Sequence, residues 1–435
     1  MANKLKKHIG LIILLIIALV FPTSLNYQAR LNMRIIVTGL AIDKSGEDYQ
    51  ITAQIVKTSP GNETPGQSAQ IEFITDKAKT LSEAVTKLAY KSGKVSAFSH
   101  TNFIVVGKSM LKEDITKSLD YFIRDKIIKN SALLLFADGS AEEEIKKTKN
   151  NELSVGLGLQ KVFLFKENEG DGLMVTLIDF LIQNKMFSKS ATASELTFHT
   201  NEEAKKDEAS SLSSESSSSS NSSSSGGTSG QEQSEKSTST GSSSSQGSSS
   251  GSGKEEQQYF DPEAPIVCFV DGKFVGKIEK PEDLCGYLLT NKETHKAEIM
   301  IEGVSAGRLT GDKMEVIIKQ KDTKFKMSYQ GNTPVFEIVV TVTKSELNEI
   351  MSDKVIASLS EEEFNATKQG LREKMTNCIT GCFETTKGLG CDVFNAYELA
   401  YKKHYKKTTE LFKDYSEFLE NLNIKVNINI KQLDY

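Results

Sequence analysis

From Asn201 to Gln258 the chain is dominated by Ser, Gly, Glu, Gln and Lys, and no apolar residue recurs at a helical or strand period. Such a stretch cannot bury enough surface to offset the entropy of ordering it, so it is expected to stay disordered. Any core must therefore be built from the residues on either side. A Ser/Gly coil of this length spans about 40 Å root mean square, enough to tether two folded parts without fixing their placement. The tract reads as a tolerated insertion. The competing reading, a Ser-rich stalk, suits a position between an anchor and the first domain better than one between domains.

The N-terminus sets the compartment. Lys4, Lys6 and Lys7 precede an apolar run that contains Ile9, Leu11, Ile12, Ile13, Leu14, Leu15, Ile16, Ile17, Leu19, Val20 and Phe21 and is closed by Pro22. A basic segment before a short apolar core has the form of an export signal. The same charge order keeps the lysines inside and sends the following chain outward. The run falls short of the ~20 residues of a comfortable span, and no small-x-small cleavage site follows it. The expectation is an exported protein held by an uncleaved N-terminal membrane anchor.

Between Lys79 and Glu144 the pattern is that of a unit able to bury its own core. Thr80-Leu81-Ser82-Glu83 is a capping box, and Leu81, Ala84, Val85, Leu88 and Ala89 follow at helical spacing. Phe103 to Gly107 is a β-rich run, and Leu111, Ile115, Leu119, Phe122 and Ile123 predict a second amphipathic helix that ends at Arg124-Asp125. Ala132 to Ala137 reads as a buried strand, and Ser140-Ala141-Glu142-Glu143 caps another helix. Upstream, Ile35 to Ile42 and the alternation of Tyr49, Ile51, Ala53 and Ile55 predict a hairpin with one buried face. Downstream, Val175 to Ile182 predicts a helix.

Beyond the tract, Ile266 to Val270, Asp271-Gly272-Lys273 and Phe274-Val275-Gly276 form a hairpin signature with Asp-Gly at the turn. Lys313 to Phe325 and Pro334 to Thr343 alternate as strands joined through Gln330-Gly331-Asn332. Ser360 caps a helix carrying Phe364, Leu371 and Met375. Val393, Phe394, Tyr397, Tyr401, His404 and Tyr405 predict one helical face, with Leu411, Phe412, Tyr415, Phe418, Leu419 and Leu422 on another. Ile424, Val426, Ile428 and Ile430 then alternate as a closing strand.

No catalytic constellation is legible. The net charge of −5 across 435 residues lacks the basic signature of nucleic-acid binding. The histidines show no HxxxH or HExxH pairing, and Gly156-Leu157-Gly158 lacks the third glycine of a dinucleotide loop. Cys378, Cys382 and Cys391 lack the CxxC spacing of zinc knuckles, so they read as small buried packing residues. No cofactor and no metal are expected. An odd count of five cysteines leaves at least one thiol unpaired. His100 reads as a turn-orienting or interface residue. Arg124 complements the dipole at a helix C-terminus. Lys402, Lys403, Lys406 and Lys407 form either a solvated face or a contact to anionic lipid or an acidic partner.

The order of these segments resembles the Ger(x)C family. The likeness rests on Ile36-Val37-Thr38-Gly39-Leu40-Ala41-Ile42-Asp43-Lys44, Ala78-Lys79-Thr80, Ser99-His100, Ile104-Val105-Val106-Gly107, Leu119 to Asp125, Ala137-Asp138-Gly139, Asp271 to Gly276, and Asp392-Val393-Phe394 with Tyr405-Lys406-Lys407. Gly39 and Asp43 join the candidate motif residues on this ground. The resemblance implies a non-enzymatic C subunit of a nutrient germinant receptor of endospore-forming bacteria. It further implies membrane-embedded A and B subunits as partners, with the small-molecule nutrient sensed only indirectly through the B subunit. It also implies an α+β fold of three mixed domains. The expected map is a membrane anchor or uncleaved signal at 1–25, an N-terminal α+β domain at 30–200, the linker at 201–258, a middle domain at 259–306 and a C-terminal α+β domain at 307–435. Leu25 stands where the family carries its lipobox Cys, which excludes lipidation there. That departure keeps a second reading open: a generic membrane-anchored extracellular scaffold or sensor with no germination role.

Overall fold

Strand β1 (Arg34–Ser45) turns through Gly46 into β2 (Asp48–Lys57), and β3 (Gln70–Ala78) extends the antiparallel meander. Gly46 has φ 65°, the left-handed geometry that such a turn asks of its residue. The computed structural model of this chain describes residues 34–57, 70–125, 127–148, 156–200, 258–260, 264–302, 304, 307–309, 312–351 and 358–434. The apolar run from Ile9 to Phe21 and the Ser-rich residues 201–257 lie outside them. No helix among the described residues is long and apolar enough to cross a membrane.

The meander continues into parallel structure. Helix α1 (Leu81–Ser92) starts at Thr80, whose hydroxyl accepts the Glu83 amide, and buries Leu81, Ala84 and Leu88. The short β4 (Val95–Ala97) and then β5 (Phe103–Gly107) pair in parallel with β1. Helix α2 (Thr116–Arg124) buries Leu119 and Phe122; it starts later than the apolar pattern suggests, because Lys108–Lys112 forms a 3-10 turn. Strand β6 (Leu133–Ala137) pairs in parallel with β5, and every residue of both strands is buried. Covered on both faces, such strands carry continuous apolar runs rather than alternation. Helix α3 (Ala141–Lys147) starts at Ser140, α4 (Gly156–Glu169) follows, and α5 (Leu177–Gln183) opens with a Thr176–Asp179 capping box. Strand β7 (Ser190–Glu195) then pairs in parallel with β6.

The first core is finished by residues that follow the tract. Strands β8 (Phe198–Thr200) and β9 (Gln258–Phe260) pair as a small two-stranded sheet. Strand β10 (Ile266–Val270) lies antiparallel against β7, and β11 (Lys273–Ile278) closes the edge through the Asp271-Gly272 turn. Both turn residues have positive φ, as this hairpin type requires. The first sheet thus has nine strands, ordered β11-β10-β7-β6-β5-β1-β2-β3 with β4 beside β1. Phe269 of β10 packs with its ring centroid 4.8 Å from that of Phe136 and 5.1 Å from that of Phe180. The N-terminal stretch 30–200 is therefore not a closed domain: it lacks two strands and part of its aromatic core.

The expected middle domain, 259–306, is likewise divided. Its β10 and β11 belong to the first sheet, while helix α6 (Pro281–Thr290) leads to β12 (Ala297–Ile301), the edge of a second sheet. That sheet runs β12-β13-β14-β15, built on a long hairpin of β13 (Lys313–Gln330) and β14 (Thr333–Met351). Helix α7 (Glu361–Gly388) starts with a Ser360–Glu363 capping box and buries Leu371, Met375, Cys378, Ile379, Cys382 and Phe383. Helices α8 (Ala396–Leu411) and α9 (Tyr415–Asn421) lead to β15 (Asn423–Ile430), parallel to β14, where β16 (Leu433–Asp434) also pairs. Among the described residues, those up to 197 and those from 260 onward form one compact unit.

If Phe269 completes the first core, its truncation should be felt by residues that precede the tract. F269A is expected to cost about 3–5 kcal/mol. The check is a urea titration followed through amide exchange of β5 and β6; protection of those strands unchanged from wild type would refute the shared core.

Candidate functional site

The residues singled out by the family likeness come to different places. Asp43, at the end of β1, is buried and spans the start of α3: its Oδ1 accepts the Ala141 amide at 2.9 Å and its Oδ2 the Glu142 amide at 2.9 Å. The Ser140 hydroxyl donates to the same carboxylate at 3.2 Å. A carboxylate at a helix start satisfies amides that have no partner within the helix and opposes the positive end of its dipole. Gly107 at the end of β5 leaves room for this knot, since a Cβ there would overlap Asp43 Oδ1. Gly39 sits at a bulge in the β1–β2 pairing, and a Cβ there would enter the Phe103 ring. Both family positions therefore hold β1 against β5 and α3.

His100 ends a 3-10 turn, Phe98–His100, and is exposed. Arg124 is exposed at the end of α2, 3.7 Å from both Asp120 and Asp125; such surface pairs contribute little. The lysines lie on α8, whose expected straight face is interrupted. His404 has φ −132° and ψ 39°, its Nε2 lies 3.0 Å from the Met327 carbonyl oxygen, and the Thr408 hydroxyl lies 2.7 Å from that of Tyr329. Side chains tied across to β13 and into the helix ladder account for the break. Lys402 pairs with Glu398 at 3.0 Å and Lys407 lies 4.8 Å over the Tyr329 ring. Lys403 and Lys406 are exposed. Beside them runs an aromatic ladder: Phe187 and Tyr401 at 3.9 Å between centroids, Tyr401 and Tyr405 at 4.8 Å. Phe187 is 49% and Tyr405 54% exposed, which makes this strip an apolar face with a basic border.

Next to it opens a cleft of about 720 Å³, walled by α5, β7, α6 and the start of α8. Its floor holds Asp392, 3% exposed, whose two carboxylate oxygens accept the Ala396 amide at 2.9 Å and the Tyr397 amide at 2.8 Å. The Asp392 amide donates to Ser190 Oγ at 3.0 Å, and Tyr415 donates to the Gly390 carbonyl at 2.8 Å. This joint links β7 of the first sheet to the helices of the second. Burial raises the Asp392 pKa to about 6, against the hydrogen bonds from Tyr397 and Ala396, with Glu398 adding like charge. Nothing in the sequence marks Asp392 as a cap, because it lies three residues before the N-cap position and reaches α8 only through Asn395, held at φ 58°. Among the described residues no three His, Cys, Asp or Glu side chains group as a metal site. The geometry offers surfaces for binding.

Two family models cover most of this architecture. The spore germination protein N-terminal domain matches residues 27–197, and the spore germination B3/GerAC-like C-terminal domain matches 266–432. The chain belongs to the Ger(x)C family. The matched ranges stop and resume on either side of the Ser-rich tract. Spore germination protein B3 of Bacillus subtilis (strain 168) is 30% identical over 118 residues, 26% of this chain and 31% of that protein, so the alignment spans under a third of the relative. The crystal structure of the GerBC protein covers 90% of this chain and 96% of its own at a TM-score of 0.50 and 14% identity, a likeness of fold.

The capping knot and the interlayer joint give different expectations. D43A strands two amides at the start of α3 and is expected to cost about 2 kcal/mol; D43N should restore part of it, both read by chemical denaturation. Asp392 binds its proton more tightly folded than unfolded, where a carboxyl titrates near ~3.9. The stability this confers is complete below that value and is lost as the pH rises through about 6. D392N should therefore flatten the decline of melting temperature across that window, and a slope equal to wild type would show that this carboxyl is not the group responsible.

Proposed function

We propose that this chain is a non-enzymatic C subunit of a spore nutrient germinant receptor, assembled with membrane-embedded A and B subunits. In this reading the residues from Ile9 to Phe21 anchor it, and the bulk of the chain sits on the outer side of the spore inner membrane. The nutrient acts on it only indirectly, through the partner subunits. The observation that carries the reading is the consecutive match of both family domains, in order, on either side of the tract. The exposed strip of Phe187, Tyr405, Lys403 and Lys406 gives such a subunit a face without a covering element among the described residues.

Gentle detergent extraction of spore membranes, capture of this chain and mass spectrometry of what accompanies it test the assembly. Two polytopic membrane subunits are expected in the captured material. Recovery of this chain alone, from spores whose nutrient germination survives deletion of its gene, would favour a membrane-anchored scaffold or sensor with no germination role.

A further inference from the structure

Helix α6 lies along α7 at unusually close range. A Cβ on Gly286 would overlap the Cys378 carbonyl oxygen, and one on Gly381 would press on Asp283 Oδ1, 2.7 Å away. The Thr385 hydroxyl donates to Asp283 Oδ2 at 2.7 Å and fixes the same register. This approach brings Cys285 of α6 and Cys378 of α7 together. Both side chains line a cavity of about 500 Å³, shared with Pro281, Leu288, Met300 and Lys374. Cys285 is half-buried and Cys378 lies just behind it, 1% exposed.

The other three thiols are differently placed. Cys268 and Cys391 are 0% and 1% exposed, with Cys391 Sγ 3.6 Å from the Phe269 carbonyl oxygen. Cys382 is 0% exposed. None of the three lines either cleft.

We propose that Cys285 and Cys378 form a reversible thiol–disulfide site, oxidised by small disulfide compounds that enter this cavity. Cys285 is the more accessible of the two thiols and meets the incoming disulfide first. In the first step the Cys285 thiol gives its proton to water and its sulfur attacks one sulfur of the incoming disulfide. The disulfide's own S–S bond breaks, and one thiolate leaves and takes a proton from water. In the second step Cys378 gives its proton to water and attacks the Cys285 sulfur, and the second small thiolate departs and is protonated. The protein loses two hydrogens and two electrons, and the small disulfide becomes two thiols. Since α6 follows directly on β11 and α7 covers the second sheet, the bond would tie the two sheets together through their helices.

The test uses the full chain and oxidised glutathione, followed by alkylation of remaining thiols with N-ethylmaleimide, proteolysis and mass spectrometry. The expected product is one cross-linked peptide pair joining Cys285 to Cys378, reversed by dithiothreitol, with Cys268, Cys382 and Cys391 alkylated only after denaturation. C378S should stop with glutathione held on Cys285, and C285S should remain unmodified. Wild-type protein that keeps all five thiols, stops at the mixed disulfide, or links Cys268 to Cys391 instead would overturn the assignment. The wild-type measurement decides even where a variant fails to fold.

Discussion

The antiparallel pairing of β10 with β7 holds this fold together. It returns the chain to the first sheet after an excursion of 70 residues, 196–265. Five register pairs, from Ile266 opposite Ser194 to Val270 opposite Ser190, close that return. Phe269 then enters the aromatic cluster with Phe136 and Phe180. Closing a longer loop costs only about 0.6 kcal/mol for each doubling of its length. The packing of a buried aromatic ring exceeds that several times over. A long polar insertion is thus compatible with a shared core, and the second sheet inherits its position through β11 and α6.

Local chemistry made most elements legible. Thr80, Ser140 and Ser360 do accept the amides three residues on, Asp271-Gly272 does turn a hairpin, and β5 and β6 are buried throughout. Those features depend on neighbours in sequence. What depends on remote partners was hidden. The tract suggested two independent bodies because composition reports that a segment cannot form a core, and says nothing about whether its flanks rejoin. Helix α4 went unread because its apolar residues, among them Leu159, Val162, Phe163, Leu164 and Phe165, do not gather on one side. The α8 face looked continuous because the break at His404 comes from hydrogen bonds to β13.

The candidate residues divide in the same way. Gly39 and Asp43 were picked out by likeness alone, and their reason is a Cβ-free contact and a carboxylate cap that only the tertiary arrangement supplies. His100, Arg124 and the four lysines are exposed and dispersed over separate elements. Asp392 entered only through the family likeness, and neither its capping role nor the Cys285–Cys378 contact was legible. Each needs two helices, or a helix and a strand, to be brought together first.

The excursion leaves and re-enters at neighbouring points. The Glu195 amide at the end of β7 donates to the Pro265 carbonyl just before β10, at 2.9 Å. Two chain ends clamped side by side are what a guest sequence needs from its host. A reporter domain with adjacent termini, spliced into the tract, would be flanked by strands that are already paired. The chain therefore carries its own port for cargo, bounded by the paired strands β7 and β10.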